Sequence, residues 1–165
     1  MDRNRLVVSP AWLSKGEADP TREQLNATVA ELDRLAAPDS DVIFYDRASI
    51  PESLGTEEET RHFEVASQNM NLLYTLEGSR VLVIPQVSET APNPTPFSDR
   101  RWCFFEIAIS SAMCTIFNYE SSAVMEVLES SKMPLSTAEF RVAFARTEFK
   151  VGESRSNSFS CGDAV

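Results

Sequence analysis

Short runs of consecutive apolar residues alternate along this chain with longer stretches whose apolar positions recur every three or four residues. Leu6-Val7-Val8-Ser9, Val42-Ile43-Phe44-Tyr45 and Val81-Leu82-Val83-Ile84 are the short runs. The second is continuous enough to be a strand covered on both faces, and the third repeats its pattern. Between the first two, Asp19-Pro20 reads as an N-cap followed by a first-turn proline, and Leu25, Val29, Leu32 and Ala36 form one stripe. A helix is therefore predicted over 20–37. Further on, Thr56 and Glu59 make a capping-box pattern, and Phe63, Ala66, Met70, Leu73 and Leu76 mark one face of a helix to about 77. Prolines at 85, 92, 94 and 96 exclude regular structure from 85–98, a stretch that is either a binding loop or a disordered excursion.

The next segment, FSDRRWCFFEIAIS, opens a helix with Ser98 or Asp99 as its N-cap. Trp102, Glu106, Ile109 and Met113 follow at steps of three and four and share a face. The helix is apolar enough to be buried, yet it holds a carboxylate. An unpaired buried carboxylate costs several kcal/mol or shifts its pKa, so Glu106 needs a cation, a polar cleft or a chemical use. Beyond Tyr119, residues 123–128 fit a fourth strand or part of a short helix. Ser136 and Glu139 form another capping box ahead of Phe140 and Phe144. Residues 1–150 are expected to form one domain and the serine-rich 151–165 a flexible tail.

Strands alternating with helices predict an α/β fold, a parallel sheet with helices on both faces. Ligands of such sheets bind beyond the carboxyl ends of the strands, where Ser9, Asp46 and Pro85 and their loops converge. The helix carrying Glu106 should start at the same edge.

Charge narrows the partners. Twenty-five acidic against 15 basic residues give a net charge of −10, which argues against binding nucleic acid or an anionic membrane non-specifically. The 3 cysteines have no CxxC spacing and, with a charged N-terminus, suggest reduced thiols in the cytosol. His62 is the only histidine, so a metal site is not expected. Five glycines include no GxGxxG and no P-loop, against a Rossmann dehydrogenase or an NTPase.

The remaining chemistry has two sides at each residue. Glu106 either serves chemistry in a polar cleft or pairs with Arg100, Arg101 or another arginine. Asp46 either orients a sugar hydroxyl or caps the loop that runs to Ser49. Arg47, Arg100 and Arg101 either hold phosphates or balance the acids. Trp102 reads as a core or cleft-wall aromatic before a stacking platform, and Cys103 as a small buried apolar residue.

The ordered series resembles a Toll/interleukin-receptor (TIR) domain, a flavodoxin-like fold. A first strand ends in Ser9, a VxFYD-type strand ends in Asp46, and Trp102-Cys103-x-x-Glu106 opens a helix behind an aromatic and a serine. The segments from Trp12-Leu13 to Leu25, over 46–51 and over 69–74 are similar to a divergent TIR-like group of microbial eukaryotes. Arg100-x-Trp102-x-x-x-Glu106 behind a methionine–tyrosine helix is also similar to heterokaryon-incompatibility domains. In TIR domains that cleave NAD, the glutamate four residues after this tryptophan is catalytic, so the resemblance implies that role for Glu106. It implies substrate binding by Ser9, Asp46, Ser49, Trp102, Arg100 and Arg101, with NAD as substrate and no cofactor. The other function it implies is a non-catalytic module that associates with itself or with other TIR-like domains.

Overall fold

The computed structural model describes residues 5–14, 17–49, 56–76, 78–134 and 136–147, apart from the side chains of Arg47 and Ser67. The strand β1, Arg5–Pro10, lies at the centre of a parallel sheet, between β2, Val42–Tyr45, and β3, Ser79–Ile84. Its apolar run is continuous because both faces are covered. Leu6 and Val8 face one side with Leu82 and Ile84, and Val7 faces the other with Val81 and Val83. The expected α/β class, a parallel sheet flanked by helices and compatible with a flavodoxin-like fold, is what forms.

On the first face lies α1, Glu23–Arg34. Of the predicted stripe Leu32 packs inward, but Leu25 and Val29 are each 48% exposed, while Gln24 and Thr28 are buried. Hydrogen bonding decides this rotation. Gln24 accepts from the Ala11 N–H (3.3 Å) and donates to the Gln86 carbonyl (2.5 Å), tying together the chain beyond two neighbouring strands. Ala27, Leu32 and Leu35 supply the apolar contact. The predicted cap survives in altered form. Asp19 accepts from the N–H groups of Gln24 and Leu25 across a turn, and the helix begins at Glu23.

The opposite face is covered by α3, Glu57–Leu73, and α4, Arg101–Ala112. The capping box of Thr56 and Glu59 is present, and Met70 and Leu73 pack on the core. The helix ends at Leu73, with Tyr74 as C-cap, so Leu76 lies beyond it and partly in solvent. Between β2 and α3, the short helix α2, Asp46–Ser49, starts where β2 stops.

One strand expectation changes, and one open alternative is decided in favour of a helix. Being at the sheet edge, β2 is not covered on both faces: Val42 and Ile43 are 44% and 47% exposed. Residues 123–128 belong to a helix, α5, Ser122–Ser130, and the place of a fourth strand goes to residues 115–118. Ile116 makes one parallel bridge to Val81. The Asn118 amide then continues the ladder, accepting from the Val83 N–H (3.0 Å) and donating to its carbonyl (2.8 Å). A side-chain amide has the same donor and acceptor pair as a peptide, so β3 is satisfied without a full strand beside it.

The start of α4 also moves. Buried Phe97 draws Phe97–Asp99 into a 3-10 turn, leaving Arg100, not Ser98 or Asp99, as N-cap. A helix apolar around its whole circumference is buried on most sides. Accordingly Cys103, Phe104, Ile107 and Ala108 are buried with Glu106, while Met113, expected on the Glu106 face, is half-exposed. The last helix, α6, Thr137–Arg146, starts at Ser136, whose Oγ accepts from the Glu139 N–H. Phe140 joins it to α4 by stacking on Phe104 at 5.9 Å. The flexible tail expected over 151–165 and the domain limit at 150 lie outside the described residues, as do 50–55 of the loop after Asp46. No helix among the described residues is long and apolar enough to cross a membrane.

Candidate functional site

The carboxyl ends of β1 and β2, the end of α3 and the first turns of α4 meet around Glu106. Its side chain is buried, with 3% of the residue exposed. Each carboxylate oxygen has its own short hydrogen bond: the Ser9 hydroxyl donates to Oε2 (2.5 Å) and the Tyr74 hydroxyl to Oε1 (2.6 Å). The local folding explains both donors. Ser9 is the fifth residue of β1, and alternation turns it to the face where Val7 packs and α4 lies. Tyr74 sits one residue past α3, four positions after Met70 and so on the same inward face.

Burial pushes the Glu106 carboxyl from 4.5 up to about 8, against the pull of the Ser9 and Tyr74 hydroxyls, with the Asp46 charge adding to the rise and the Trp102 indole opposing it. Glu106 is therefore mostly protonated at pH 7. In the ionised state both hydroxyls donate to it. When it is protonated, one of them accepts its proton instead. The edge is acidic beyond Glu106. Tyr45 is pushed up to about 12, by burial first and then by the charges of Asp46 and Asp19.

The residues expected at the site divide. Ser9 and Glu106 are in direct contact. Asp46 opens α2, accepts from the Trp12 indole N–H (3.0 Å), and stands close enough for its charge to act on Glu106. Trp102 is half-buried, reaches Glu106 with its indole and stacks on Phe105 at 5.5 Å, which makes it a wall of the site. Ser49 turns back to accept from the Tyr45 N–H (3.3 Å) and closes the end of β2.

Arg100 and Arg101 are bonded to backbone carbonyls, and the hydroxyls on Glu106 come from Ser9 and Tyr74 instead. Buried Arg100 donates to the carbonyls of Thr95 (2.9 Å), Asn93 (2.8 Å) and Trp12. Five N–H donors on a rigid fork suit that task, and the outcome is a cross-link between the loop after β1 and the proline-rich loop after β3. Arg101 donates to the Thr147 carbonyl (2.9 Å) and lies over the Phe144 ring at 5.1 Å, fastening α6 to α4. Cys103 is buried, and its thiol donates to the Pro10 carbonyl at 3.8 Å, the small core residue expected.

Tyr74 and Trp12 enter the sequence reading only within segments that carry the resemblance and with no role at the site, yet both hydrogen-bond to site carboxylates. Position 74 extends the apolar stripe of its helix, and a buried tyrosine needs a partner for its hydroxyl, which is the clue that could have found it. Compared with known proteins, the chain matches no family model, no curated protein and no solved structure.

Proposed function

We propose that this is a TIR-like signalling domain that breaks the N-glycosidic bond between a ribose and a cationic pyridinium base, with NAD as substrate and Glu106 as the key carboxylate. The observation that carries the reading is a buried carboxylate near the carboxyl end of the central strand of a parallel sheet, gripped by the hydroxyls of Ser9 and Tyr74. The negative field of Asp46 and Asp19 at this edge suits a cationic group. A pyridinium charge brought against Glu106 lowers its proton affinity, so the carboxylate ionises in the complex. It then accepts a ribose hydroxyl and stabilises the positive charge that grows on the sugar. The C1′–N bond breaks with its electron pair going to the ring nitrogen, so the base leaves neutral without a general acid. Water adds to C1′ and releases a proton. Closure over Glu106 means that substrate enters only after the site opens. Cytoplasmic placement goes with this reading, because thiols such as Cys103 and Cys114 stay reduced there and NAD is at hand.

Purified protein at high concentration with NAD should release free nicotinamide, and Glu106→Ala should reduce the rate by about 100-fold or more. No release even under crowding or clustering overturns the enzymatic reading. Undiminished release from Glu106→Ala overturns the role of Glu106.

The edge strand favours a second reading, a module that associates with itself or with other TIR-like domains. Among the described residues β2 pairs only with β1, and Val42 and Ile43 are nearly half-exposed, the kind of edge that recruits another chain. Light scattering over a concentration series should then show self-association that Ile43→Lys weakens. A protein monomeric throughout that captures no TIR-like partner would count against this reading.

A further inference from the structure

The two hydroxyls on Glu106 differ in freedom. Tyr74 is 1% exposed, and its ring belongs to the core cluster with Val7, Val81 and Ile107. Its own carbonyl accepts from the Thr115 hydroxyl (3.1 Å), so the residue is held at both the ring and the main chain. Moving its hydroxyl means unpacking the core. Ser9 is equally buried, but beyond its bond to Glu106 it is held by its backbone, in register with Val83, and its Oγ turns about a single bond between staggered positions without moving the core.

We propose that Tyr74 is a positioning residue for Glu106: its immobile hydroxyl fixes Oε1, and Oε2, shared with Ser9, is the oxygen that exchanges its partner for a ligand hydroxyl. The inference rests on the reading of Glu106 as the working carboxylate and adds a division of labour between its two oxygens. The groups that face the pair agree with it. Asp46 from α2 raises the Glu106 proton affinity, while Ser9 from β1, Tyr74 and Trp102 from its own helix lower it. Tyr74 itself is pushed well above 10, by burial first and then by the charge and hydrogen bond of Glu106, with Asp46 and Cys103 adding to the rise. It therefore remains a neutral donor over the working pH range. Its second task follows from the same bond, which favours the ionised carboxylate that the chemistry requires.

The test reads Glu106 directly. The infrared band of its protonated carboxyl, assigned by difference against Glu106→Gln, is followed through a pH titration of the full chain. Tyr74→Phe keeps the ring and removes the hydroxyl, so the proton should bind about tenfold more tightly and the band should persist to higher pH. A midpoint that stays in place or falls overturns the proposal. Should Tyr74→Phe fail to fold, 3-fluorotyrosine placed at position 74 preserves the packing and donates more strongly. The midpoint should then fall, and an unmoved one overturns the proposal. With NAD, the pH profile of kcat for Tyr74→Phe should move upward while KM changes little. A wild type that releases no nicotinamide counts against the glycosidase reading alone, because the infrared band needs no turnover.

Discussion

Glu106→Gln is expected to be more stable than the wild type at pH 8, by on the order of 4 kcal/mol, and nearly equal to it below pH 4.5. Folding raises the Glu106 carboxyl from 4.5 to about 8, so the folded protein binds this proton more tightly than the unfolded chain does. The stability that protonation contributes is fully present below pH 4.5. It is lost as pH rises through about 8, at about 1.4 kcal/mol per pH unit in between. Glutamine has nearly the same shape and cannot ionise, and its amide still meets the Ser9 and Tyr74 hydroxyls. Urea unfolding of both proteins from pH 4 to 9 measures the difference. A gap that does not widen with pH overturns the account of Glu106 as a carboxylate held at the expense of stability.

Arg100→Ala should lose about 3 to 5 kcal/mol and melt well below the wild type. The guanidinium serves carbonyls on two loops, and alanine leaves these buried and part-buried acceptors without this donor. Arg100→Lys should recover little, because an ammonium on a flexible stem cannot span the same fork. The contrary result is equally definite. If Arg100 held substrate phosphates, Arg100→Ala would keep its melting temperature and raise KM for NAD more than for a phosphate-free pyridinium riboside.

Part of this site is legible in the amino-acid sequence. Glu106 stands out because a carboxylate in so apolar a helix demands an explanation, and it is indeed buried. Ser9 and Asp46 are expected at the ends of their strands, and both lie there. Tyr74 is placed on the inward face by its spacing from Met70, but a stripe does not say which distant group its hydroxyl will meet. The backbone partners of the arginines are not legible, because charge complementarity suggests a partner by sign alone. Carbonyls freed by an irregular loop attract a guanidinium just as strongly, and nothing in the composition shows where they are.

The same division runs through the fold. Local pattern determined the strand–helix alternation, the capping box at Thr56 and the N-cap at Ser136, because each depends on residues close in sequence, and the alternation in turn implied a parallel sheet. Tertiary contacts decided which face of α1 turns inward, since Gln24 is buried by bonds to Ala11 and to Gln86, 62 positions away. They also decided that β2 is an edge and that Asn118 completes the ladder of β3. For Glu106, the sequence alone determined the tension, a charge in an apolar helix. Only the tertiary structure decided its resolution, because Ser9 and Tyr74 lie 97 and 32 positions away and folding alone brings their hydroxyls to the carboxylate.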